Sequence, residues 1–191
     1  MKQRAVVIAG IVVVAAALAW VLFVALPRRY GPKPAAPVAT TATGAPAVAT
    51  GRKIKARLFY VAEDGTHLTR VERDITYGEG TLEQAREIIA AQMAPPGDPL
   101  VSAIPARTTV RALFITEGGE AYVDFSPELV TGHSGGTTDE MLTVYTIVNA
   151  LTENLPAITG VQLLVEGKEL DTLAGHIDLR TPLAKNLTWV Q

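Results

Sequence analysis

The sequence predicts an α+β domain with two layers, in which two helices pack on one face of a mixed sheet. Two segments place apolar residues at helical spacing, and several shorter segments alternate apolar and polar residues as strands do. These segments follow one another in the order β(β)αββαββ. Because only two helices interrupt the strands, a layered α+β fold is favoured over a doubly wound parallel fold.

The chain begins with a long apolar segment. Residues 5–26 carry no charge and are rich in Ala, Val, Leu and Ile. At about 1.5 Å per residue they reach about 33 Å, enough to cross a hydrocarbon core of about 30 Å. A cleaved signal peptide is the alternative, but its apolar core usually has only about 7–15 residues. We expect an uncleaved transmembrane helix, with residues 1–4 as a cytoplasmic leader and the C-terminal domain outside the cytoplasm.

A segment rich in proline and alanine follows the apolar one. Residues 27–50 consist mostly of Pro, Ala, Thr, Gly and Val, a composition that cannot build a core and that proline biases towards an extended chain. They are therefore predicted to be a linker. Residues 51–191 are long enough to form a single domain with its own core.

Charge and cysteine content exclude several functions. Five of the 17 Lys and Arg residues lie within residues 1–50, which contain no acidic residue. Residues 51–191 therefore hold 12 basic and 19 acidic residues, a net charge of −7. This argues against nucleic-acid binding, which calls for a clustered basic surface. Because the chain has no cysteine, it has no disulfide, cysteine–zinc site, thiol nucleophile or lipid-modified cysteine.

The first part of the domain is predicted to contain two strands and a helix. Residues 53–61 alternate as a half-buried strand, and residues 68–75 form a more charged strand typical of a sheet edge. Residues 81–93 have the apolar spacing of a helix. Thr81 and Gln84 have the spacing of a capping box at its start.

A hairpin and a long helix are predicted next. Residues 109–116 and 120–125 alternate as strands on either side of a glycine-containing turn. Residues 138–155 then form a helix of about five turns, which Pro156 stops. Thr137 and Glu140 have capping-box spacing at its start.

Three strand candidates complete the domain. Residues 161–165 alternate clearly, and a turn at residues 166–168 follows them. Residues 176–179 are a short strand candidate, and residues 188–190 are a candidate for the last strand. The long helix is therefore predicted to join two strands.

Two of the three histidines are candidate catalytic or metal-binding residues. His176 and Asp178 are two residues apart, so on a strand their side chains share one face, as metal ligands or acid–base pairs do. The alternative is a hydrogen-bonded pair at the end of a strand. His133, with Asp139 and Glu140, is a second candidate metal group, and a solvent-exposed loop histidine is its alternative.

Serine and phosphate chemistry find little support in the sequence. Ser126 and Ser134 lie outside any Gly-x-Ser-x-Gly pattern, so turn or helix-entry roles account for them. The glycine-rich loop at residues 132–136 lacks the lysine that a phosphate loop supplies, and acidic residues follow it in the first turn of the helix. On the helix, Asn149 and Glu153 share one stripe, either as a partner-facing patch or as a polar rim.

Five motifs occur in the order and spacing of a known family: Tyr122-Val-Asp-Phe-Ser126, Gly135-Gly136, Ile147-Val-Asn-Ala-Leu-Thr-Glu153, Val165-Glu-Gly167 and Gly175-His-Ile-Asp178. Together they resemble the GerMN domain, the module named after the sporulation and spore-germination protein GerM. The resemblance covers residues 53–182. It departs from the family at Ala150, where threonine is frequent, and in lacking the cysteine of its lipoprotein members.

The resemblance implies a fold like that of the ring-building motifs of secretion systems and a scaffolding role. Family relatives assist assembly of a transenvelope channel or modulate a sensor kinase. The residues carried over as structural or partner-facing positions are Asp124, Ser126, Gly135, Gly136, Glu140, Asn149, Glu153, Glu166, Gly167, Gly175, His176 and Asp178.

The sequence thus favours a non-enzymatic, membrane-anchored module that binds other envelope proteins and forms a possible homo-oligomer. No cofactor, metal or catalytic residue is assigned. Two alternatives stay open. One is a metal-dependent or cell-wall hydrolase that uses His176 and Asp178, and the other is a glycan-binding module, for which Trp189 is the main aromatic candidate.

Overall fold

The computed structural model describes Trp20 and residues 51–191. The predicted leader, transmembrane segment and linker therefore lie outside the described residues, apart from Trp20. Within the described part of the chain, no helix is long and apolar enough to span a bilayer. Ala49–Gln191 form one compact unit.

This unit has the predicted mixed α+β composition. Its elements are β1 (Lys53–Val61), β2 (Leu68–Thr76), α1 (Gly80–Met93), β3 (Val110–Ile115), β4 (Glu120–Phe125), α2 (Glu128–Thr131), α3 (Thr137–Asn154), β5 (Gly160–Val165) and β6 (Lys168–Glu169). The two long helices lie within one residue of their predicted bounds, because their apolar spacing is a strong local signal.

The strands form two sheets, so the prediction of a single mixed sheet is wrong. β1 and β2 pair antiparallel over their full length, with Lys53 opposite Thr76. The second sheet has the order β3-β4-β5-β6, in which only β4 and β5 are parallel. The helix α3 makes the crossover between these parallel strands, as predicted for a strand–loop–helix–strand unit.

Side-chain amides bond the backbone of β1 along its free edge, where the first sheet ends. The amide of Asn154 accepts a hydrogen bond from the Arg57 N–H (2.8 Å) and donates one to the Arg57 carbonyl (2.7 Å). Gln92 does the same at Phe59, over 2.8 and 2.7 Å. The backbones of Val61 and Val101 exchange two further bonds. These groups occupy the positions that a third strand would take, so no strand joins the sheet at this edge.

The two long helices connect the sheets. α1 contacts β1, β2 and β3, and α3 contacts α1, β1 and β5. The inward stripe of α3 includes Val144, Ile147, Val148 and Leu151, all fully buried. Burying each such side chain contributes about 1.5–3 kcal/mol, so this helix organises the core.

Several local predictions fail. Neither long helix has a side-chain cap, because Glu140 and Gln84 bind backbone groups elsewhere. Residues 176–179 form no strand, and residues 188–190 make only a single bridge, between Leu68 and Val190. The short helix α2 was not predicted, since four residues are too few to show a helical period.

Candidate functional site

Glu140, in the first turn of α3, is the centre of the best-defined polar cluster. Its side chain is fully buried. One carboxylate oxygen accepts the N–H groups of Leu173 (2.8 Å) and Ile177 (3.3 Å). The other accepts the N–H (2.9 Å) and the ring Nδ1–H (3.0 Å) of His176. The carboxylate thus holds the loop that the sequence presented as a strand, and the long-range donors have replaced the predicted capping box.

The charge of Glu140 follows from this set of donors. Burial raises the pKa of its carboxyl group, but the N–H groups of Ala174, His176, Ile177 and Leu173 together lower the pKa by more. The net result is a pKa below that of an ordinary glutamate. Glu140 is therefore a carboxylate at neutral pH, and it stabilises the loop in its ionised form.

His176 and Asp178 do not form a common site. His176 directs Nδ1 at Glu140, whereas Asp178 accepts two hydrogen bonds from the Arg180 guanidinium, at 2.9 and 2.7 Å. The hydrogen bonds from the Arg180 side chain, followed by that from its backbone N–H, lower the pKa of Asp178 to about 2. The shared face predicted for the pair depended on a strand that is not formed.

The ring of His133 has both nitrogens engaged. Nδ1 accepts the Gly135 N–H at 3.0 Å, so the other nitrogen, Nε2, carries the proton of the neutral ring and donates to the Thr143 hydroxyl at 3.2 Å. That hydroxyl lies 2.9 Å from the Ala103 carbonyl, to which it can donate in turn. His133 is consequently a structural link between the glycine-rich loop and α3.

The two serine candidates also serve the backbone. The Ser126 hydroxyl accepts the Thr109 N–H at 3.0 Å, and its hydrogen bond to Glu128 lowers the pKa of that carboxyl group. Ser134 donates to Asp139 at 2.7 Å. Neither serine has a histidine as a hydrogen-bond partner among the described residues, so the arrangement lacks the base that a serine nucleophile needs.

Asp124 and the turn after β5 form a second cluster. Asp124 Oδ1 accepts the Gly167 N–H at 2.8 Å, and its other carboxylate oxygen lies 3.3 Å from an Arg111 nitrogen. Glu166 and Gly167 both have positive φ, 54° and 76°, which makes this turn tight enough for the contact. The cluster joins β4 to the end of β5.

Asn149 and Glu153 occupy different environments on α3. Asn149 is fully buried and bonds both the carbonyl (2.7 Å) and the N–H (3.0 Å) of Asn186. Glu153 is about one-tenth exposed, and the charged groups of Arg57, Arg70 and Lys185 lie within 3.6 Å of it. Both residues fasten other segments to the helix.

The remaining predicted positions are glycines with positive φ: Gly135 at 86°, Gly136 at 92° and Gly175 at 97°. A side chain is strained in this region of φ, so these positions favour glycine for its backbone freedom. Gly135 and Gly136 bring the chain into α3, and Gly175 lies in the loop that Glu140 holds.

A cleft of about 740 Å³ adjoins the glycine-rich loop, between His133 and a segment rich in proline around Pro105. The Thr108 hydroxyl on its wall is buried and has no hydrogen-bond partner among the described residues. Within residues 51–191, no group of three or more His, Asp or Glu side chains is arranged to hold a metal ion.

Large exposed apolar side chains, which the sequence reasoning did not single out, lie on β3. Phe114 is 61% exposed and Val110 is 36% exposed, and the strand forms one edge of its sheet. The signal in the sequence is that residues 110–115 carry a single charge, Arg111, where a protected edge strand has several.

Comparison with known proteins gives a consistent result for the fold. The model of the family Germane, described as sporulation and spore germination, matches residues 57–171 as a single copy. The structure is similar to the first GerMN domain of the sporulation protein GerM from Bacillus subtilis, with a TM-score of 0.53 and 23% identity over 69% of this chain and 97% of that one.

The tandem GerMN domains of the same Bacillus subtilis protein give a TM-score of 0.52 and 21% identity over 71% of this chain. The match covers 46% of the tandem structure, so this chain spans about half its length. No curated protein matches the chain in sequence. At these identities, the structural similarity establishes the fold alone.

Proposed function

The chain belongs to the Germane family of sporulation and spore-germination domains, and from that premise we propose that it is a non-enzymatic binding module of the bacterial cell envelope. In this proposal, residues 5–26 hold it in the cytoplasmic membrane, and residues 27–50 place the domain on the extracytoplasmic side. The module acts by contact with other envelope proteins.

The exposed apolar surface of β3 is the observation that carries the proposal. Phe114, at 61% exposed, and Val110 lie on an edge strand, where a soluble domain normally places charges. Clustered exposed apolar groups are typical of protein interaction sites. The polar side chains that are candidates for chemistry instead hold loops and strand ends together, as Glu140 and His133 do.

Photo-crosslinking of the full chain in living cells tests the proposal. A photoreactive amino acid is placed at Phe114, and at the exposed Lys168 as a matched control. We expect crosslinks to one or a few envelope proteins from position 114 and none from position 168. The photoreactive amino acid is also placed at Val101 and at Trp189, two further exposed apolar sites. If positions 114, 101 and 189 all yield no partner, the binding role is wrong.

The hydrolase alternative requires His176 and Asp178 to act together, and their separate partners Glu140 and Arg180 argue against it. Metal analysis of the purified full chain, with His176→Ala for comparison, distinguishes the two functions. Stoichiometric metal that the substitution removes would favour the hydrolase. The glycan alternative rests on Trp189, which is 42% exposed, and a loss of glycan binding in Trp189→Ala would support it.

A further inference from the structure

The cleft beside the glycine-rich loop has the size and wall chemistry of a ligand site. Its volume of about 740 Å³ lies within the range of about 300–1,000 Å³ that small-molecule sites occupy. One wall is made largely by residues 93–108, and the other by the loop before α3 and the first turns of that helix. Apolar side chains line both walls, among them Val101, Ile104 and Leu142. Such a site buries an apolar ligand and orients it through a few polar groups.

A tight turn in the first wall contains a residue with positive φ. The Thr108 N–H donates to the Pro105 carbonyl at 3.1 Å and closes the turn. Arg107, at the third position of the turn, has a φ of 105°. Glycine or asparagine is the usual residue there, because other side chains are strained in this region of φ. Strain of this kind is typical of positions whose side chain has a function, so Arg107 is a candidate ligand contact.

The charge of Arg107 has no close partner in the described part of the chain. Arg107 is exposed, and it takes part in none of the ion pairs formed within residues 51–191. The Ser126 hydroxyl is the main group that lowers the pKa of the Glu128 carboxyl group, and the charge of Arg107 is the smallest of the causes. A guanidinium has five N–H donors, so that of Arg107 is available for a carboxylate.

Asp139, in the first turn of α3, supplies the opposite charge. Its Oδ2 accepts a hydrogen bond from the Ser134 hydroxyl at 2.7 Å, and its Oδ1 accepts none from a described residue. Within residues 51–191, Arg107 and Asp139 are the only Lys, Arg, Asp or Glu residues that line the cleft. The ring of His133 also lines it, with both nitrogens engaged. The cleft therefore presents one cation and one anion, on different walls.

The Thr108 hydroxyl adds a polar group without a partner. Thr108 is 7% exposed, and its hydroxyl forms no hydrogen bond with another described residue. A buried hydroxyl without a partner is unfavourable, and the amide group of a ligand beside it supplies the missing hydrogen bond. Thr108 directly follows Arg107, so both polar groups belong to the same wall of the cleft.

We propose that this cleft binds a short apolar peptide with both termini free. Its carboxylate pairs with Arg107, its ammonium group pairs with Asp139, and its side chains lie on the apolar wall that includes Val101. The Thr108 hydroxyl donates to a carbonyl of the peptide. Because Phe114 does not line the cleft, this inference goes beyond the proposed contact of β3 with envelope proteins.

Titration of the full chain in detergent with the dipeptide Leu-Leu tests this. NMR follows the titration at about pH 6.5, where the amine of the dipeptide is protonated. We expect shifts of the Arg107, Thr108 and Ser134 amides. N-acetyl-Leu-Leu keeps only the carboxylate, and Leu-Leu amide keeps only the ammonium group. Each should bind about tenfold more weakly than Leu-Leu, because each loses one charged, hydrogen-bonded pair.

Two variants that remove a charge assign the two pairs. Arg107→Gln should bind Leu-Leu and Leu-Leu amide equally and should still prefer Leu-Leu to the N-acetyl form. Asp139→Asn should lose the preference over the N-acetyl form and keep the one over the amide. A merely structural defect would weaken all three peptides together, which would contradict the proposal. Lys168→Gln and Glu169→Gln, at exposed residues outside the cleft, are the matched controls and should keep both preferences.

A pair of apolar substitutions tests the location. Val101→Ser, at a residue that is 57% exposed and lines the cleft, should weaken binding of Leu-Leu about threefold. Phe114→Ser, at a residue that is 61% exposed and outside the cleft, should leave it unchanged. Equal effects of the two substitutions would place the peptide elsewhere and overturn the proposal.

The proposal is also overturned if Leu-Leu does not shift the amides of the cleft, or if the three peptides bind equally. These results are distinct from those that test the proposed function. Crosslinks from position 114 without dipeptide binding would leave the proposed function standing and remove this inference. Dipeptide binding without any crosslinked envelope protein would do the opposite.

Discussion

The Gln92 side chain exchanges two hydrogen bonds with the backbone of Phe59, accepting its N–H at 2.8 Å and donating to its carbonyl at 2.7 Å. Both residues are completely buried. One amide therefore performs the function of a neighbouring strand at this point of β1. The contact also joins α1 to the first sheet, 33 residues earlier in the chain.

Gln92→Leu should lower the free energy of unfolding by about 2 kcal/mol, because it leaves the Phe59 N–H buried without a partner and leaves the Phe59 carbonyl with only the Thr146 hydroxyl, 3.3 Å away. Urea denaturation of the full chain, followed by circular dichroism, measures the effect. Glu83→Leu is the control, since Glu83 lies on the exposed side of the same helix and should change stability by no more than about 1 kcal/mol. Equal effects of the two substitutions would contradict the strand-like role of the amide.

Long-range contacts of this kind mark the limit of what could be predicted from the sequence. Helix α3 is predicted because Val144, Val148 and Leu151 repeat at a spacing that is visible within one segment. The amide of Asn154, by contrast, meets Arg57 across 97 positions. Nothing local indicates that an asparagine at the end of a helix will close a sheet, so two sheets were predicted as one.

The same reasoning explains the outcome at the candidate site. Glu140 stands three residues after Thr137, which is capping-box spacing. The sequence alone could not show that its carboxylate accepts N–H groups of residues 173–177 instead of the N–H at the start of the helix. His176 bonds the Glu140 carboxylate through its ring Nδ1. Its partner is 36 positions away, whereas the predicted partner, Asp178, is only two away.

Glu140→Gln should destabilise the domain by about 3 kcal/mol, because a neutral amide replaces a buried carboxylate and points an N–H₂ group at backbone donors. Hydrogen exchange should accelerate at the amides of Leu173, His176 and Ile177, with the amides of β4 less affected. Glu169→Gln, at an exposed position, is the control and should change neither quantity. Unchanged exchange at the three loop amides would show that the carboxylate does not hold the loop.

Glu140 also makes stability depend on pH in a defined direction. Its pKa is lower in the folded protein than in the unfolded chain, so its contribution is complete above the unfolded value of about 4.3 and is lost as pH falls through the folded value. The difference in unfolding free energy between the wild type and Glu140→Gln should therefore be constant near neutral pH and shrink below about pH 4.

Denaturation of both proteins at several pH values from about 7 to about 3 measures this difference, and subtraction removes the titration of the other carboxylates, which both proteins share. Glu169→Gln again serves as the comparison, and its difference from the wild type should stay small throughout. A difference for Glu140→Gln that grows as the pH falls would mean that the folded pKa is raised, contrary to the hydrogen bonds seen.

Gly119, in the turn between β3 and β4, provides a test of the hairpin that presents the exposed Phe114. Its φ is 84°, and a Cβ atom added there would lie 2.4 Å from the Ala157 carbonyl oxygen. The neighbouring Gly118 has ordinary φ, and its nearest such contact is 3.7 Å away. We expect Gly119→Ala to cost about 3 kcal/mol, since it adds left-handed strain to a clash with backbone. Gly118→Ala should cost no more than about 0.5 kcal/mol.

Thermal unfolding of the full chain measures the two variants side by side, and the larger loss corresponds to a Tm about 10 °C lower. The clash with Ala157 lies two residues from Thr159, whose N–H donates to the Gly119 carbonyl and holds the residues before β5 against the turn. Gly119→Ala should for this reason speed exchange of the Thr159 amide, whereas Gly118→Ala should not. If both alanines were tolerated equally, the turn would differ from the one described, and the register of β3 against β4 would have to be revised.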